Sequence, residues 1–359
     1  MDTDLFSRPL KSILVFGATG HIGRPLAEYI TNNSPSTQLR LATSAPNKVN
    51  ELKQRFPNAD IVLCSYYDQE QLNNAFQDME GVYMITPDFT DETTATNNLV
   101  NAAKSHQVRH IVRLMGDPPG MTLDRVPEYL RQFGGGASAA VGHTIARDIL
   151  NRSQLPVTYT SIAGYYMDDL CGVWHGRGIK RGNVLVDVKC HHMPYIDPAE
   201  AGEAAARILL RRDPADIGKD YLLNNGIDLW DFHDVAKMLS KELGKPIAYQ
   251  EGEAAYRRWI GPSLEDAMGD GATDFFIAYF TWEDSVLADI AKQQIGGLAG
   301  EIARLIQLKA PRWLKEFLIR PLWNKKDKNI YHADLENILG RRPKSLTQWI
   351  QENRSLFMA

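Results

Sequence analysis

Three glycines at fixed spacing follow the first apolar run of the chain and constrain its fold more than any other feature. Residues 12–16 (SILVF) lead directly into Gly17, Gly20 and Gly23, and a helical pattern follows. Gly17 allows a tight turn, Gly20 keeps side chains away from backbone N–H groups, and Gly23 allows close helix packing. The spacing predicts a strand, a turn and a helix whose N-terminus binds the pyrophosphate of a dinucleotide. The alternative is a glycine turn that binds nothing.

Strand-like and helical segments alternate along the first 165 residues. Apolar runs that favour strands occupy residues 39–43, 61–64, 81–86, 110–114 and 157–162. Helical segments begin at residue 68 and occupy residues 93–105 and 144–152. Alternation at this spacing is typical of parallel strands joined by right-handed helical crossovers. We therefore predict an α/β fold, with a Rossmann-type doubly wound parallel sheet over residues 1–165.

Beyond residue 165 the alternation loosens, although residues 198–211 and 231–243 still have strong helical patterns. We predict a smaller, mostly helical C-terminal substrate lobe over residues 166–359, with a helical insertion at about residues 285–330. Because the boundary between the two lobes near residue 165 is diffuse, the prediction includes the possibility that later segments return to the sheet.

Composition excludes several classes of protein. The formal net charge is −4, so no overall positive potential attracts nucleic acid. The three cysteines, Cys64, Cys171 and Cys190, form no C-x-x-C pair and predict neither a disulfide framework nor a zinc site. No run of about 20 apolar residues is present to span a membrane, and the start has no signal-like apolar run. We therefore expect a cytoplasmic protein.

Six stretches share their pattern with one known family. They are residues 17–23 (GATGHIG), 40–48 (RLATSAPNK), 68–86 (DQEQLNNAFQDMEGVYMIT), 149–161 (ILNRSQLPVTYTS), 229–250 (LWDFHDVAKMLSKELGKPIAYQ) and 335–353 (LENILGRRPKSLTQWIQEN). Through them the chain resembles the NmrA-like branch of atypical short-chain dehydrogenases, which is related to isoflavone and pinoresinol reductases. The resemblance implies a Rossmann-type fold and a nicotinamide cofactor that donates hydride.

The segment after the second predicted strand bears on the choice of cofactor. Sites that prefer NAD(H) usually place an acid there to bind the ribose 2′-hydroxyl. Residues 38–48 contain no Asp or Glu, whereas Thr43, Ser44 and Lys48 suit a 2′-phosphate. We therefore favour NADP(H) over NAD(H). Ser44 stands at a position where the family often has arginine. The alternative role for Lys48 is that of a solvated helix residue that does not contact the cofactor.

Further residues complete the predicted cofactor site. Besides the three glycines, Ser44 and Lys48, they are Thr19, His21, Ile22, Ser65, Thr86, Pro87, Met115 and His143. They lie in the glycine turn, near the ends of predicted strands, or, for His143, just before a predicted helix.

The catalytic residues typical of short-chain dehydrogenases are missing. The turn after the fifth predicted strand usually contains a serine in this class, and here it contains Leu114, Met115 and Gly116. The expected region also contains no Tyr-x-x-x-Lys pair. The resemblance implies a catalytic lysine four residues before Arg147, and this chain has His143 at that position. His143 is therefore our candidate general acid, since imidazole titrates near neutral pH. A contact to the nicotinamide ribose, or a cap on a helix beginning at Thr144, is the alternative.

Other polar and aromatic residues lie near the predicted site. Tyr165 and Tyr166 follow the sixth strand and are candidates for the wall of a substrate pocket, or for core packing. We expect Cys190, His191 and His192 not to bind a metal, because adjacent strand residues face opposite ways. Asp168 and Asp169 are a candidate carboxylate pair, but we expect them to lie in a solvated loop.

Residues 302–323 mix leucine, isoleucine and tryptophan with arginine and lysine. Such a segment is able to contact a membrane surface or a protein partner. The alternative is a helical cover on the substrate lobe, with its cations extending to water.

Three functions fit these observations. The first is an NAD(P)H-dependent reductase acting on a small apolar or aromatic molecule. The second is a non-catalytic regulator that binds NADP(H) and senses redox state, which the missing catalytic residues favour. The third is a non-redox enzyme on the same fold, because a fold does not determine a reaction.

Overall fold

The computed structural model describes residues 8–117, 121–131, 136, 139–189, 192–295, 297, 301, 304–305 and 334–358. The central strands are β1 (Ser12–Phe16), β2 (Gln38–Thr43), β3 (Asp60–Leu63), β4 (Gly81–Met84), β5 (His110–Met115), β6 (Val157–Ile162) and β10 (Asp220–Leu223). They form one parallel sheet in the order β10-β6-β5-β4-β1-β2-β3. The predicted Rossmann-type doubly wound sheet is confirmed.

Helices cover both faces of the sheet. The helices of the described residues are α1 (Gly23–Asn33), α2 (Val49–Arg55), α3 (Gln69–Phe76), α4 (Glu92–Ser105), α5 (Ala139–Ser153), α6 (Pro198–Arg211), α7 (Phe232–Leu243), α8 (Glu253–Trp259), α9 (Gly261–Met268), α10 (Ala272–Ile295), α11 (Asp334–Leu339) and α12 (Leu346–Glu352). Helices α1, α2, α6 and α11 contribute to the apolar layer on one face, and α3, α4 and α5 to the layer on the other.

Strand β1 illustrates why these apolar runs form central strands. All five of its residues are buried. Ile13 and Val15 belong to the apolar layer on one face, and Leu14 and Phe16 to the layer on the other. A strand covered by helices on both faces is apolar at every position, because side chains alternate between two buried faces.

The chain returns to the sheet after leaving it. Strand β10 pairs in parallel with β6, so Asp220–Leu223 becomes the edge of the central sheet. Helix α6 packs on α1, and a Cβ on Gly202 would lie 2.3 Å from the backbone oxygen of Ile22. Leu222 donates its backbone N–H to Asp334 in α11 at 3.0 Å. The sheet lobe is therefore built from segments far apart in the sequence.

Short strands and helices make up the second lobe. Strands β8 (Val184–Asp187) and β12 (Ala248–Glu251) pair in parallel, and β9 (Met193–Ile196) lies between β7 (Tyr165–Tyr166) and β11 (Leu229–Trp230). Aromatic residues of α10 form much of one core: Phe275, Phe276, Tyr279 and Trp282. The lobe thus supplies rings that face the carboxyl ends of the central strands.

The predicted insertion overlaps the end of α10, which extends to Ile295. Most of residues 302–323, predicted as a membrane or partner contact, lie outside the described residues. Within the described part of the chain, no helix is both long and apolar enough to cross a membrane.

One predicted helix begins earlier than expected. Helix α5 begins at Ala139, ahead of the predicted start at residue 144. His143 therefore lies inside this helix and does not cap it, which removes one alternative role for its side chain.

Candidate functional site

The glycine turn between β1 and α1 has the geometry that its sequence predicts. Gly17 has φ +72°, and a Cβ there would lie 2.7 Å from Ile85 Cγ2. A Cβ on Gly23 would lie 2.3 Å from the Gly17 oxygen, and Gly20 donates its N–H to that oxygen at 2.9 Å. No side chain caps the N-terminus of α1. Arg24 and Leu26 donate their N–H groups to the backbone oxygens of Gly20 and Ile22, so the N–H groups open to a phosphate in the described structure are those from His21 to Gly23.

A cavity of about 550 Å³ adjoins this turn. It lies beyond the carboxyl ends of the central strands, where ligands of doubly wound sheets bind. Seven residues predicted for the cofactor site or substrate pocket line it: His21, Ile22, Thr86, Pro87, His143, Tyr165 and Tyr166. The second lobe closes the far side with Trp174, Phe232, Tyr256 and Phe280. The cavity therefore has a largely aromatic wall opposite the glycine turn.

The remaining predicted cofactor residues lie away from this cavity. Thr19 is in the turn itself, Ser44 is exposed after β2, and half-buried Ser65 follows β3. Met115 is fully buried in the apolar layer formed with α3, α4 and α5. Because side chains alternate along β5, Leu114 and Gly116 line the cavity and Met115 does not. The proposed site therefore includes Gly116 and no longer includes Met115.

Two cations lie near the end of β2. Lys48 ends a short 3-10 turn and forms an ion pair with Glu51 at 2.9 Å. The hydrogen bond and charge of Lys48 lower the pKa of Glu51, and the charge of Arg24 adds to this effect. Arg24 also acts electrostatically on His21 and has no ion pair among the described residues. Arg24 thus stands between the glycine turn and the predicted 2′-phosphate region, a role that the sequence analysis missed.

His21 connects the glycine turn to the second lobe. Its Nδ1 lies 2.7 Å from Asp168 Oδ2, and its ring packs on Tyr166 with centroids 5.0 Å apart. Although burial opposes it, the hydrogen bond with Asp168 raises the pKa of His21. The pair fixes the imidazole at the mouth of the cavity.

The expectation of a solvated loop at Asp168 and Asp169 was wrong. Asp168 is paired with His21, and Asp169 lines the cavity with no side-chain hydrogen bond to any described residue. Enclosure and the neighbouring charge of Asp168 raise the pKa of Asp169 to about 8. Asp169 therefore carries a proton at neutral pH and is able to donate a hydrogen bond to a ligand.

His143 lines the cavity beside the end of β5. A Cβ on Gly116 would lie 3.0 Å from His143 Cδ2, so glycine allows this close approach. Burial, with the charges of Arg113 and Arg147, lowers the pKa of His143 well below its usual value. The ring is therefore neutral near pH 7, and an imidazolium donor does not fit this environment. Arg147 itself is held by Asp117 and Asp220.

Tyr165 and His175 form a second polar pair in the cavity wall. The Tyr165 hydroxyl lies 2.7 Å from His175 Nε2. Burial lowers the pKa of His175 to about 3 and raises that of Tyr165 well above its usual value. His175 Nδ1 is buried and has no hydrogen-bond partner among the described residues. Both groups are therefore uncharged at neutral pH.

A buried ion pair lies beneath the cavity floor. Arg113 in β5 and Glu92 in α4 are 3.2 Å apart, and their side chains are 1% and 4% exposed. The Thr86 hydroxyl donates to Glu92 and accepts from Arg113 at 2.7 Å. This network fixes Thr86 at the carboxyl end of β4, where it faces the cavity.

One group of side chains elsewhere has the donor atoms of a metal site. Ligand atoms of His192, Asp231 and Asp234 lie within 4.8 Å of one another. Asp231 also caps α7 by accepting from the Asp234 N–H at 3.0 Å, which accounts for its buried position. Cys190 and His191, considered with His192 in the sequence, lie outside the described residues.

The sequence analysis missed Arg24, His175, Trp174 and Tyr256, and it dismissed Asp169. Trp174 and His175 lie in irregular chain after β7, and Tyr256 lies in the distant helix α8. No local pattern marks them, because they meet only when the second lobe folds over the sheet. The doubled acid at 168 and 169 was the only visible signal.

Comparison with known proteins now bears on this site. Residues 9–114 match the family model of the NmrA-like family. The matched segment contains the glycine turn, strands β1 to β4, nearly all of β5 and three of the six stretches, so the resemblance to the NmrA-like family is confirmed over these residues. No curated protein gives a significant match to the sequence.

Solved structures share the fold over most of the chain. An NADPH-dependent quinone oxidoreductase from Escherichia coli, complexed with NADPH, is 20% identical, with a TM-score of 0.63 over 95% of this chain and 99% of that one. The triphenylmethane reductase of Citrobacter sp. complexed with NADP(H) is 17% identical, with a TM-score of 0.61 over 95% and 99%. NmrA, a negative transcriptional regulator, is 16% identical, with a TM-score of 0.53 over 72% and 83%. At these identities the likeness concerns the fold alone.

Proposed function

We propose that this protein is an NAD(P)H-dependent reductase of a small apolar or aromatic molecule. The observation that carries the proposal is the cavity of about 550 Å³, which joins the glycine turn to a wall of aromatic side chains. Cavities of this volume suit small ligands, and largely apolar walls with a few polar groups are typical of their sites. Two of the structurally similar proteins are NADPH-dependent or NADP(H)-bound reductases.

The glycine turn suits a dinucleotide cofactor. Its uncapped helix N-terminus offers N–H donors, and the close contacts of Gly17 and Gly23 leave no space for side chains. We propose NADPH over NADH, with Lys48 and Arg24 near the 2′-phosphate and Ser44 beside them. When bound, the cofactor supplies a hydride. His21, Thr86 and Pro87 are proposed to hold its nicotinamide half.

His143 is proposed to act as a neutral hydrogen-bonding group beside the nicotinamide, as either a ribose contact or a weak donor. Its lowered pKa supports this role over that of an imidazolium acid. We also propose a reducing compartment such as the cytoplasm, because Cys64 and Cys171 are free thiols.

Replacement of Gly20 tests cofactor binding. A Cβ on Gly20 would meet only the Gly17 oxygen, at 3.3 Å, so Gly20→Val should fold while its side chain blocks the phosphate. Gly172→Val is a matched control, since a Cβ there would also lie 3.3 Å from a backbone oxygen, that of Asp168. We expect Gly20→Val alone to lose NADPH affinity in a fluorescence titration. Equal affinity in the two variants would refute the cofactor assignment.

A second function is a non-catalytic NADP(H)-binding regulator. The absence of the serine, tyrosine and lysine typical of short-chain dehydrogenases favours it, and NmrA is among the structurally similar proteins. The two functions differ in turnover. A regulator binds NADPH without oxidising it. The proposed reductase oxidises NADPH when a planar aromatic carbonyl compound enters the cavity as the hydride acceptor.

A further inference from the structure

The proposed reductase needs a proton donor that its sequence does not reveal. Reduction of a neutral carbonyl adds a hydride and a proton, and His143 is held in its neutral form. One tyrosine hydroxyl in the cavity wall is hydrogen-bonded to a second buried titratable group. That hydroxyl belongs to Tyr165, and its partner is His175.

The surroundings of His175 determine which of its nitrogens carries the hydrogen. His175 is 5% exposed, and its Nδ1 is buried without a partner. A hydrogen on Nδ1 would be a buried donor with no acceptor, which native proteins rarely tolerate. Leaving the Nδ1 lone pair unpaired is the less costly arrangement. The hydrogen therefore sits on Nε2, and Nε2 donates to the Tyr165 oxygen.

This arrangement leaves the Tyr165 O–H for a ligand. The phenol oxygen accepts from His175, so its own hydrogen points away from that bond. Edge contacts with the rings of Tyr195 and Phe232 hold the phenol in place, with centroids 6.1 and 5.5 Å from that of Tyr165. Phe232 also packs on His175 at 4.8 Å, so the same ring positions both members of the pair.

We propose that Tyr165 is the catalytic proton donor of this site and that His175 is its positioning residue, an inference that rests on the proposed reductase function. The hydride of NADPH adds to the carbonyl carbon, and the carbon–oxygen π pair moves onto oxygen. That oxygen takes the Tyr165 proton, which gives an alcohol, NADP⁺ and a Tyr165 phenolate. The His175 N–H stabilises the phenolate, as a nearby donor must where no lysine is present. Water restores the phenol after product release.

The pair differs from Asp169, another proton carrier in the cavity wall. Asp169 has no hydrogen bond to a described side chain that would fix its orientation. Tyr165 is fixed by a 2.7 Å hydrogen bond and by rings on two sides. A proton donor acts efficiently only when its atom is held within reach of the acceptor. Loss of Tyr165 should therefore matter more than loss of Asp169.

The test uses NADPH and 9,10-phenanthrenequinone, a planar aromatic dicarbonyl, with turnover followed by NADPH absorbance. Tyr165→Phe should lower kcat by roughly two to four orders of magnitude, the usual contribution of a general acid, with little change in NADPH affinity. Tyr83→Phe is the matched control, because its hydroxyl is buried in β4 without a partner and does not line the cavity. It should leave turnover unchanged.

Two variants separate the positioning role of His175 from simple packing. His175→Gln keeps an N–H donor near the Nε2 position and should retain much of kcat, whereas His175→Leu should lose most of it. Nitrogen NMR of labelled wild type should show His175 protonated on Nε2 alone at neutral pH. Protonation on Nδ1 would overturn the inference whatever the acceptor.

The outcomes distinguish the two proposals. Wild-type turnover that persists unchanged in Tyr165→Phe, or that is lost equally in His175→Gln and His175→Leu, refutes the proton-donor inference and leaves the reductase function intact. If wild type binds both NADPH and the quinone but oxidises no NADPH, the proposed function fails, and the inference fails with it.

Discussion

Single side chains in the cavity hold protonation states that differ from their usual ones at neutral pH. Enclosure and Asp168 raise the pKa of Asp169 to about 8, while burial lowers that of His175 to about 3. Both groups are consequently uncharged near pH 7. Neither Asp169 nor His175 therefore has a charge that must be desolvated when a ligand enters beside it.

The raised pKa of Asp169 makes stability depend on pH. The folded state binds the Asp169 proton more tightly than the unfolded state does. Its favourable contribution to the free energy of unfolding is therefore complete below about pH 4 and is lost as pH rises through about 8. We expect Asp169→Asn to exceed wild type in free energy of unfolding at pH 9, by up to about 6 kcal/mol for a shift of this size, and the difference should shrink towards pH 4. Asp270→Asn, which changes an exposed carboxyl, should show no such trend. A pH-independent difference would contradict the assignment.

Cofactor preference depends on two cations near the end of β2. Lys48→Glu should weaken NADPH binding more than NADH binding, because only NADPH carries the 2′-phosphate, and Arg24→Ala should act in the same direction. Lys53→Glu makes the same charge change at an exposed position of α2 and serves as the control. Calorimetric titration with both cofactors measures the effect. Wild type that binds NADH as tightly as NADPH would show the preference to be wrong.

Residue roles were predictable where they follow from local sequence. The positions of Gly17 and Gly23 follow from turn geometry, and both have the close contacts that the spacing requires. His175 and Asp169 could not be predicted in the same way. Their roles depend on which distant elements enclose them, and no spacing along the chain records that enclosure.

Secondary-structure elements are tied together beneath the cavity by one buried ion pair. Arg113 belongs to β5, Glu92 to α4, and Thr86 follows β4, so the pair connects three neighbouring elements. Burying two charges is costly, and the cost is recovered only when both are present and hydrogen-bonded. The network accordingly couples the position of Thr86 to the packing of α4.

Breaking this pair should destabilise the protein strongly. Arg113→Met leaves Glu92 as an uncompensated buried charge, and we expect a loss of about 3–5 kcal/mol in the free energy of unfolding. The double variant Arg113→Met with Glu92→Leu removes both charges and should recover much of that loss. Urea denaturation of the wild type, the two single variants Arg113→Met and Glu92→Leu, and the double variant measures these differences. If the double variant lost the sum of the two single losses, the side chains would not be coupled.

At the level of elements, the sequence predicted strands better than helix ends. The run at 157–162 matches β6, whereas α5 begins at Ala139, ahead of the predicted residue 144. The interior of β6 is marked by β-branched and aromatic residues, which favour strands. The first turn of α5 follows a glycine- and alanine-rich segment, where small residues give no periodic pattern that locates the start of a helix.

The whole molecule is an interleaved arrangement of two lobes. Strand β10 and helices α6 and α11 lie in the sheet lobe, although the chain between β6 and α6 builds part of the other lobe. Neither lobe is a continuous segment of sequence. The glycine turn was predicted correctly from the sequence. The position of the seventh strand depends on the packing of α6 against α1, and this packing is seen only in the folded molecule.

Interleaving predicts cooperative unfolding. Loss of the second lobe would pull β10 and α6 from the sheet and expose apolar surface of α1, so neither lobe should melt alone. We expect a single calorimetric transition whose measured enthalpy equals its van't Hoff enthalpy. Two resolved transitions would show that the lobes are independent. A sample saturated with NADPH should move the whole transition upward, because binding to the folded state alone stabilises it by mass action.

The late position of β10 in the chain has a consequence for synthesis. Strand β6 ends at Ile162, and β10, which pairs with it at the edge of the sheet, ends at Leu223, roughly 60 residues later. At the usual rate of about 5–20 residues per second, the ribosome takes roughly 3–12 s to supply the missing strand. During that interval a nascent chain presents a bare, apolar sheet edge, which is the kind of surface that pairs with other chains. Expression of this protein should therefore depend on chaperones that shield such an edge until the seventh strand emerges.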